Sequence, residues 1–486
     1  MKSIKYIIIG LLTFSFTACD DYVDVDPIAE INSESYFNSE EDYQQALIGA
    51  YDMLQSTFLN NILSEIASDN SLAGGENAND AVAWQEIDDM RHTVVNSALR
   101  DIWKWMYGGI YRVNYIFEFK DKTEFEGKDA VLGQAAFLRA YYYFELVKYF
   151  GDVPMPIDKR VQFGEETSFG RTPKSEVYAQ MEADLIFAAE NLPIAQSQLG
   201  RVTKGAAKAL LGKAYLYQDK FNLAATVLQE VIDPSFGYDL TDFNTLFLPE
   251  GENGIESVFE IQYSDQEGAG YDCLSCSEGN VLAGFSGPYN FEGPTYTSGN
   301  RFNLPTQNLV DEFEEGDLRL ETTILDIDDF VEANPGTVYT VGFEHTGYFN
   351  NKYLPRTGEQ SIGDTKLTNN RNFRAIRFAD VLLMAAEAMN RDSGTDDTQA
   401  LIYLNRVRER AGLAPVTVTG QALTDAIYHD RRIELAGEGQ RFFDLVRTGR
   451  AADNIPDFVA GKHELFPIPQ EEIDLLGGSI AQNANY

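Results

Sequence analysis

The chain has 486 residues, 44% of them hydrophobic, and carries 76 Asp and Glu against 38 Lys and Arg, for a formal net charge of −38 and a pI near 4.3. That balance excludes a phosphate-backbone binder, which needs clustered Lys and Arg, and favours solubility while saying nothing of fold. The apolar fraction supplies a sizeable core, and length alone suggests about three domains at ~150 residues each.

The chain opens MKSIKYIIIGLLTFSFTACDDYVDVDP. Lys2 and Lys5 precede an apolar run from Ile7 to Phe16, and the small residue Ala18 stands directly before Cys19. The run is shorter than the ~20 apolar residues of a spanning helix, and the layout is that of an export signal. With a cysteine after the cut it resembles a bacterial lipoprotein signal, although Phe16 replaces the usual leucine-like residue. The resemblance implies that residues 1–18 are removed and that Cys19 carries acyl chains such as palmitate. Two or more chains anchor stably where one does not. Asp20 and Asp21 resemble the acidic tag of Bacteroidetes surface lipoproteins, which implies a lipid-anchored protein on the outer face of the outer membrane. Residues 19–38, rich in acids and holding Pro27, read as a tether to one body over 39–486.

Helical period begins at Glu40. Ser39 is placed as an N-cap before Glu40, Glu41 and Asp42, and Ala46, Leu47, Ala50, Tyr51 and Leu54 follow at one-face spacing. Residues 68–96 break the period and hold Gly74, Gly75, Asn77, Asn79 and Trp84. Helices are predicted over 97–119, with Trp103 and Trp105 read as core, and over 130–150, crowded with aromatics up to Gly151. Thr172 is the expected cap of a further helix, with Pro173 in its first turn. Residues 203–234 carry Leu211, Gly212, Tyr215, Ala224 and Leu228 at the offsets of a tetratricopeptide repeat, with Phe221 placed in the turn and Asp233-Pro234 ending the pair. Weaker relatives lie at 134–150 and 378–412. The fold class read here is mostly α, a helix-pair scaffold of tetratricopeptide type.

Residues 236–372 lose helical period, gain Gly, Asn, Ser, Thr and Pro, and scatter single aromatics such as Tyr271, Tyr289 and Tyr296. Short extended pieces at 257–262 and 337–341 suggest small hairpins. So long an insertion is usually functional, and the two inserts read together as a loop-built binding face on a rigid support. Within it, Cys273 and Cys276 allow a tight disulfide in an oxidising compartment, two free thiols, or half a zinc site. Zinc needs two more ligands, and the four histidines, His92, His345, His429 and His463, supply no spaced pair. Asp326, Asp328 and Asp329 lack the glycine and distal glutamate of a calcium loop.

The last quarter reads AIYHDRRIELAGEGQRFFDLVRTGR over 426–450 and ELFPIPQEEID over 464–474. With IRFADVLLMAAEA at 376–388, WKWMYGGIYRVN at 103–114 and the closing QNANY, these resemble the SusD/RagB family of the Bacteroidetes. Asp430 stands where that family usually has glutamate, and Leu475-Leu476-Gly477 replaces an asparagine-containing end. In the 426–450 segment Glu434 and Glu438 are expected to pair with arginines three or four residues away on one helix, forming a buried salt-bridged corner.

No HExxH helix, GxSxG elbow or phosphate loop is present. The resemblance implies binding without catalysis, and the residues themselves give no expectation of a cofactor or metal site. It implies capture of oligosaccharides, or of peptides in some branches, and delivery to a SusC-like TonB-dependent outer-membrane transporter. A surface glycan hydrolase is the alternative from another class, requiring two carboxylates about one glycosidic bond. Sugar rings stack their C–H faces on aromatics while amide, carboxylate or guanidinium groups meet their hydroxyls. On that basis the candidate ligand residues are Trp84, the one tryptophan off the predicted helices, Tyr289 and Tyr296, with Asp69, Asn70 and Arg371 as polar partners and the Cys273–Cys276 segment as a rim.

Overall fold

The computed structural model describes residues 36–268, 270–359, 362–364, 366–392 and 397–486. The signal, Cys19 and nearly all of the tether lie outside the described residues, among which no helix is long and apolar enough to cross a membrane.

The longer helices begin with α1 (Glu40–Asp52), where Ser39 Oγ accepts from the Asp42 backbone N–H and the Asp42 carboxylate accepts in return from Ser39. That reciprocal cap satisfies donors the helix leaves open. Then come α2 (Phe58–Ile66), α3 (Val82–Asp88), α4 (Ser97–Glu118) and α5 (Lys128–Phe150). In α6 (Lys174–Asn191) the cap position belongs to Pro173, not Thr172. Thr172 is drawn into an antiparallel bridge with Val153, which leaves it extended and out of capping position. The repeat-like segment folds as α7 (Lys204–Leu216) and α8 (Phe221–Ile232), so Phe221 opens the second helix and the turn ends at Lys220. A Cβ on Gly212 would lie 2.5 Å from the Leu228 side chain, the close approach the sequence implied. The chain later returns as α9 (Phe378–Arg391), α10 (Asp397–Arg410), α11 (Gln421–Glu434) and α12 (Arg441–Arg447).

Helix α1 packs on α4, and from α4 each helix packs on its successor through α10. The step from α8 to α9 skips residues 233–377 in sequence, yet the two helices lie side by side. The long insert is therefore an excursion from an uninterrupted helical stack.

Paired strands tie the excursion down. Strand β1 (Ser71–Gly74), in the first insert, pairs antiparallel with β4 (Phe302–Pro305) in the second, which fuses the two. Strand β2 (Ser257–Ile261) pairs with β8 (Phe373–Arg377), β3 (Tyr289–Glu292) with β6 (Val338–Thr340), and β5 (Ile324–Asp326) with β7 (Tyr348–Asn350). The expected local hairpins at 257–262 and 337–341 are thus replaced by long-range pairs, neither segment having a tight two-residue turn beside it. One apolar core runs from Phe37 to Ile480. The insert adds a small core of its own around Phe291, Tyr296, Leu325, Ile327 and Phe349.

The salt-bridged corner is present, but its partners are distant in sequence. Glu434 meets Arg319 at 3.3 Å, Arg377 at 2.5 Å and Arg410, while Glu438 meets Lys352 at 2.6 Å and Arg377 at 2.8 Å. Arg431 lies between Asp380 and Asp444. These groups are almost wholly buried. Within this corner, among the described residues, helical i,i+3 pairing survives between Arg447 and Asp444 alone, because the carboxylates of α11 face inward, where arginines of the insert and of α10 converge.

Candidate functional site

Helix α3, lying in the first insert, turns Trp84 inward. Its ring is 8% exposed and stands edge-on to Phe285 at 5.2 Å and Phe302 at 4.9 Å. Trp84 is a floor beneath the junction of the two inserts, and it is helical, contrary to the sequence reading. Phe285 also contacts, at 6.4 Å between centroids, the ring of Tyr271, which is 50% exposed. Edge-to-face aromatics thus lead from the core to the surface.

Around Tyr271 the polar groups interlock. Asn300 Nδ2 donates to the Tyr271 hydroxyl at 2.9 Å, and Lys366 Nζ donates to Asn300 Oδ1 at 3.1 Å. Lys366 also lies 4.7 Å from the centroid of Tyr289, and the Arg301 guanidinium lies 4.2 Å from the same ring. Tyr289 is half-buried and on β3 beside the exposed Asn290. Burial, then the neighbouring Arg301 charge, depress the Lys366 pKa, and Asp364 opposes them. Cys273 and Cys276, two and five residues after Tyr271, are joined by a disulfide, so the bridge pins the exposed loop at this edge. The surface can stack an apolar ring face on Tyr271 and offer amide, hydroxyl and ammonium groups beside it.

The other sequence candidates lie elsewhere. Tyr296 is 7% exposed; its hydroxyl donates to Asn351 and its ring packs on Phe330 and Phe291 in the insert core. Arg371 is buried, bonded to Glu359 and the Phe247 carbonyl. Asp69 is held by Arg441 at 2.7 Å and Arg432 at 3.1 Å, and the fully buried Asn70 accepts from Arg432. These four serve packing and ion pairing. Asp69 does border a cleft of about 510 Å³ with Asp88, Glu312 and Glu344, but no aromatic residue lines it, so it offers no stacking surface. Asp326 caps a short helix by accepting from the Asp328 and Asp329 backbones, and no metal-ligating cluster occurs among the described residues.

Sequence reasoning missed Tyr271, Asn300, Arg301 and Lys366. Tyr271 had a usable signal, an isolated aromatic between Gly270 and the cysteine pair. The other three had none, since they reach the site only through the folded insert.

A family profile described as the SusD family matches residues 255–458, and one described as starch-binding associating with outer membrane matches 21–216. SusD-like protein P2 of Formosa agariphila is 28% identical over 522 residues, covering all of both chains. The solved structure of a laminarin binding SusD-like protein is 34% identical with a TM-score of 0.84, covering 92% of this chain and 100% of that one. Surface glycan-binding protein A from Bacteroides thetaiotaomicron, solved in complex with laminarihexaose, is 28% identical with a TM-score of 0.82 and the same coverage. On this whole-length likeness of sequence and fold, the chain belongs to the SusD family.

Proposed function

We propose that this protein is a cell-surface glycan-binding lipoprotein, anchored through Cys19, that captures oligosaccharides and passes them uncleaved to a SusC-like TonB-dependent outer-membrane transporter. The observation that carries the reading is the half-exposed Tyr271, ringed by Asn300, Lys366 and Tyr289 where the two inserts meet. An aromatic in contact with buried rings is a rigid stacking plate, and the groups beside it are hydrogen-bonded to one another and so already oriented. Such preorganisation lowers the ordering cost of binding. The likeness to a chain solved with laminarihexaose supports a glycan as the ligand class.

The signal-like run before Cys19, with Asp20 and Asp21 after it, supports placement on the cell surface. Calorimetry against plant, host and microbial oligosaccharides, followed by product analysis, tests the binding reading. Intact glycan bound and recovered is the expected result. Cleaved product would favour a hydrolase, and affinity for peptides alone would favour a peptide carrier. Recovery of a SusC-like barrel from native membranes in mild detergent, and release of Cys19→Ala from the membrane fraction, test the partner and the anchor.

A further inference from the structure

The core arginines of this protein are matched to carboxylates. Arg319, Arg377, Arg408, Arg431 and Arg447 each meet two or more. Arg301 is the exception. It is only 6% exposed, its Nε donates to the Gly75 carbonyl, and its Nη1 has no hydrogen-bond partner. Neither Arg301 nor Lys366 forms an ion pair among the described residues. Both cations lie against Tyr289, and Asp364, the acid nearest Lys366 in sequence, uses its carboxylate on the Lys366 backbone N–H at 2.9 Å.

Two neighbouring cations outside any direct ion pair among the described residues, with Asp364 the acid whose charge reaches Lys366, are unusual in a chain of net charge −38. Desolvating a cation is costly unless it is paired, and the cation–π contacts with one ring offset only part of that cost. A hydrogen-bond donor left open on a nine-tenths buried guanidinium, beside an ammonium at an aromatic surface, is the arrangement that receives an anion. We propose that the Arg301–Lys366 pair makes this face selective for glycans bearing an anionic substituent, a sulfate ester or a uronate carboxylate. The inference rests on the glycan-binding reading and adds the substrate class. The ligand's ring stacks on Tyr271 while its charged group lies beside Lys366 at Tyr289, within the field of Arg301 behind the same ring. The protein's negative field repels acidic glycans at long range, so discrimination depends on these two local cations.

The test is calorimetry at one fixed ionic strength with three probes of similar length: laminarihexaose as the neutral sugar, a sulfated galactan oligosaccharide and a polygalacturonate oligosaccharide. One of the charged probes is expected to bind at least tenfold more tightly than laminarihexaose, and which of them does so distinguishes sulfate from carboxylate. In Lys366→Gln that preference, read as the ratio of charged-probe to neutral-probe affinity, should fall at least fivefold, and Lys366→Arg should restore it. Arg301→Gln should act in the same direction. If its packing loss prevents folding, the Lys366 pair of variants decides alone. Equal or tighter binding of laminarihexaose by the unmodified protein, or a preference for charged probes that survives in Lys366→Gln, overturns the proposal while leaving glycan binding intact. Binding of peptides and of none of the three sugars overturns both.

Discussion

Glu434 is the strongest single point of failure in this fold. Its carboxylate is fully buried and shared by Arg319, Arg377 and Arg410, which join the insert, β8 and α10 to α11. Glu434→Gln keeps the shape and removes the charge. Arg319 then retains Asp317 and Asp430, Arg377 retains Glu256 and Glu438, and Arg410 retains Glu256, so three buried guanidinium groups each lose one charged partner at once. Breaking one partner out of a buried ion network costs ~3–5 kcal/mol. At ~2.1 cal/mol/K of unfolding entropy per residue, a body of this size loses about 1 °C of Tm per kcal/mol, so the expected fall is about 3–5 °C. The pH dependence has a definite sign. Burial alone would raise the Glu434 pKa, but Arg410, Arg377, Arg319 and Lys352 together hold it well below the ordinary 4.5. A depressed folded-state pKa gives stability that is present above the unfolded value and lost as pH falls toward the folded one. Urea denaturation of both proteins from pH 8 to pH 3 should show the gap full at neutral pH and narrowing below about 4.5. A gap under ~1 kcal/mol at pH 7, or one unchanged at pH 3, would refute this assignment, since exposed pairs are worth no more than that.

Glu65 should behave oppositely: burial outweighs the Gly439 and Gly437 N–H groups and the Lys352 charge and lifts its pKa to about 7. A raised folded-state pKa gives stability present below the unfolded value and lost as pH rises, so Glu65→Gln should gain ~3 kcal/mol on the parent between pH 4.5 and 8, read from urea midpoints. Gly212→Val places new atoms against Leu228 and should cost ~1–3 kcal/mol in a thermal melt, reporting α7–α8 contact. Trp84→Ala should cost ~3–5 kcal/mol, as removal of a buried aromatic does, whereas Tyr271→Ala, half in solvent, should cost far less; equal losses in chemical denaturation would contradict the floor-and-plate assignment.

The scaffold was legible because its signals are local and redundant. Ser39 with Asp42 caps α1 by short-range geometry, and Gly212 with Leu228 marks a helix crossing within one repeat. The closing motifs pointed to the family. The site residues were less legible, for reasons visible in each case. Trp84 sits on a seven-residue helix within a polar insert, too short to show a period, so it read as an exposed loop aromatic. Asp69 and Asn70 read as free polar groups because Arg432 and Arg441, which hold them, come some 360 residues later. Glu434 and Glu438 read as paired along their own helix because nothing in the sequence places Arg377 or Arg319 beside them. Charge pairing across a fold leaves no spacing to detect. Arg301 and Lys366 were invisible for the same reason, being 65 residues apart in sequence and brought together at Tyr289.

The central claim is that oligosaccharide is captured on the face built by Tyr271, Tyr289, Asn300 and Lys366. Calorimetry of the mature body with a panel of neutral and acidic oligosaccharides, repeated on folded Tyr271→Ala, tests it most directly. The account predicts saturable binding of at least one intact glycan and a loss of tenfold or more in the variant, with its far-UV spectrum unchanged. Glycan binding at full affinity by Tyr271→Ala, or no binding of any glycan by the parent, would contradict it.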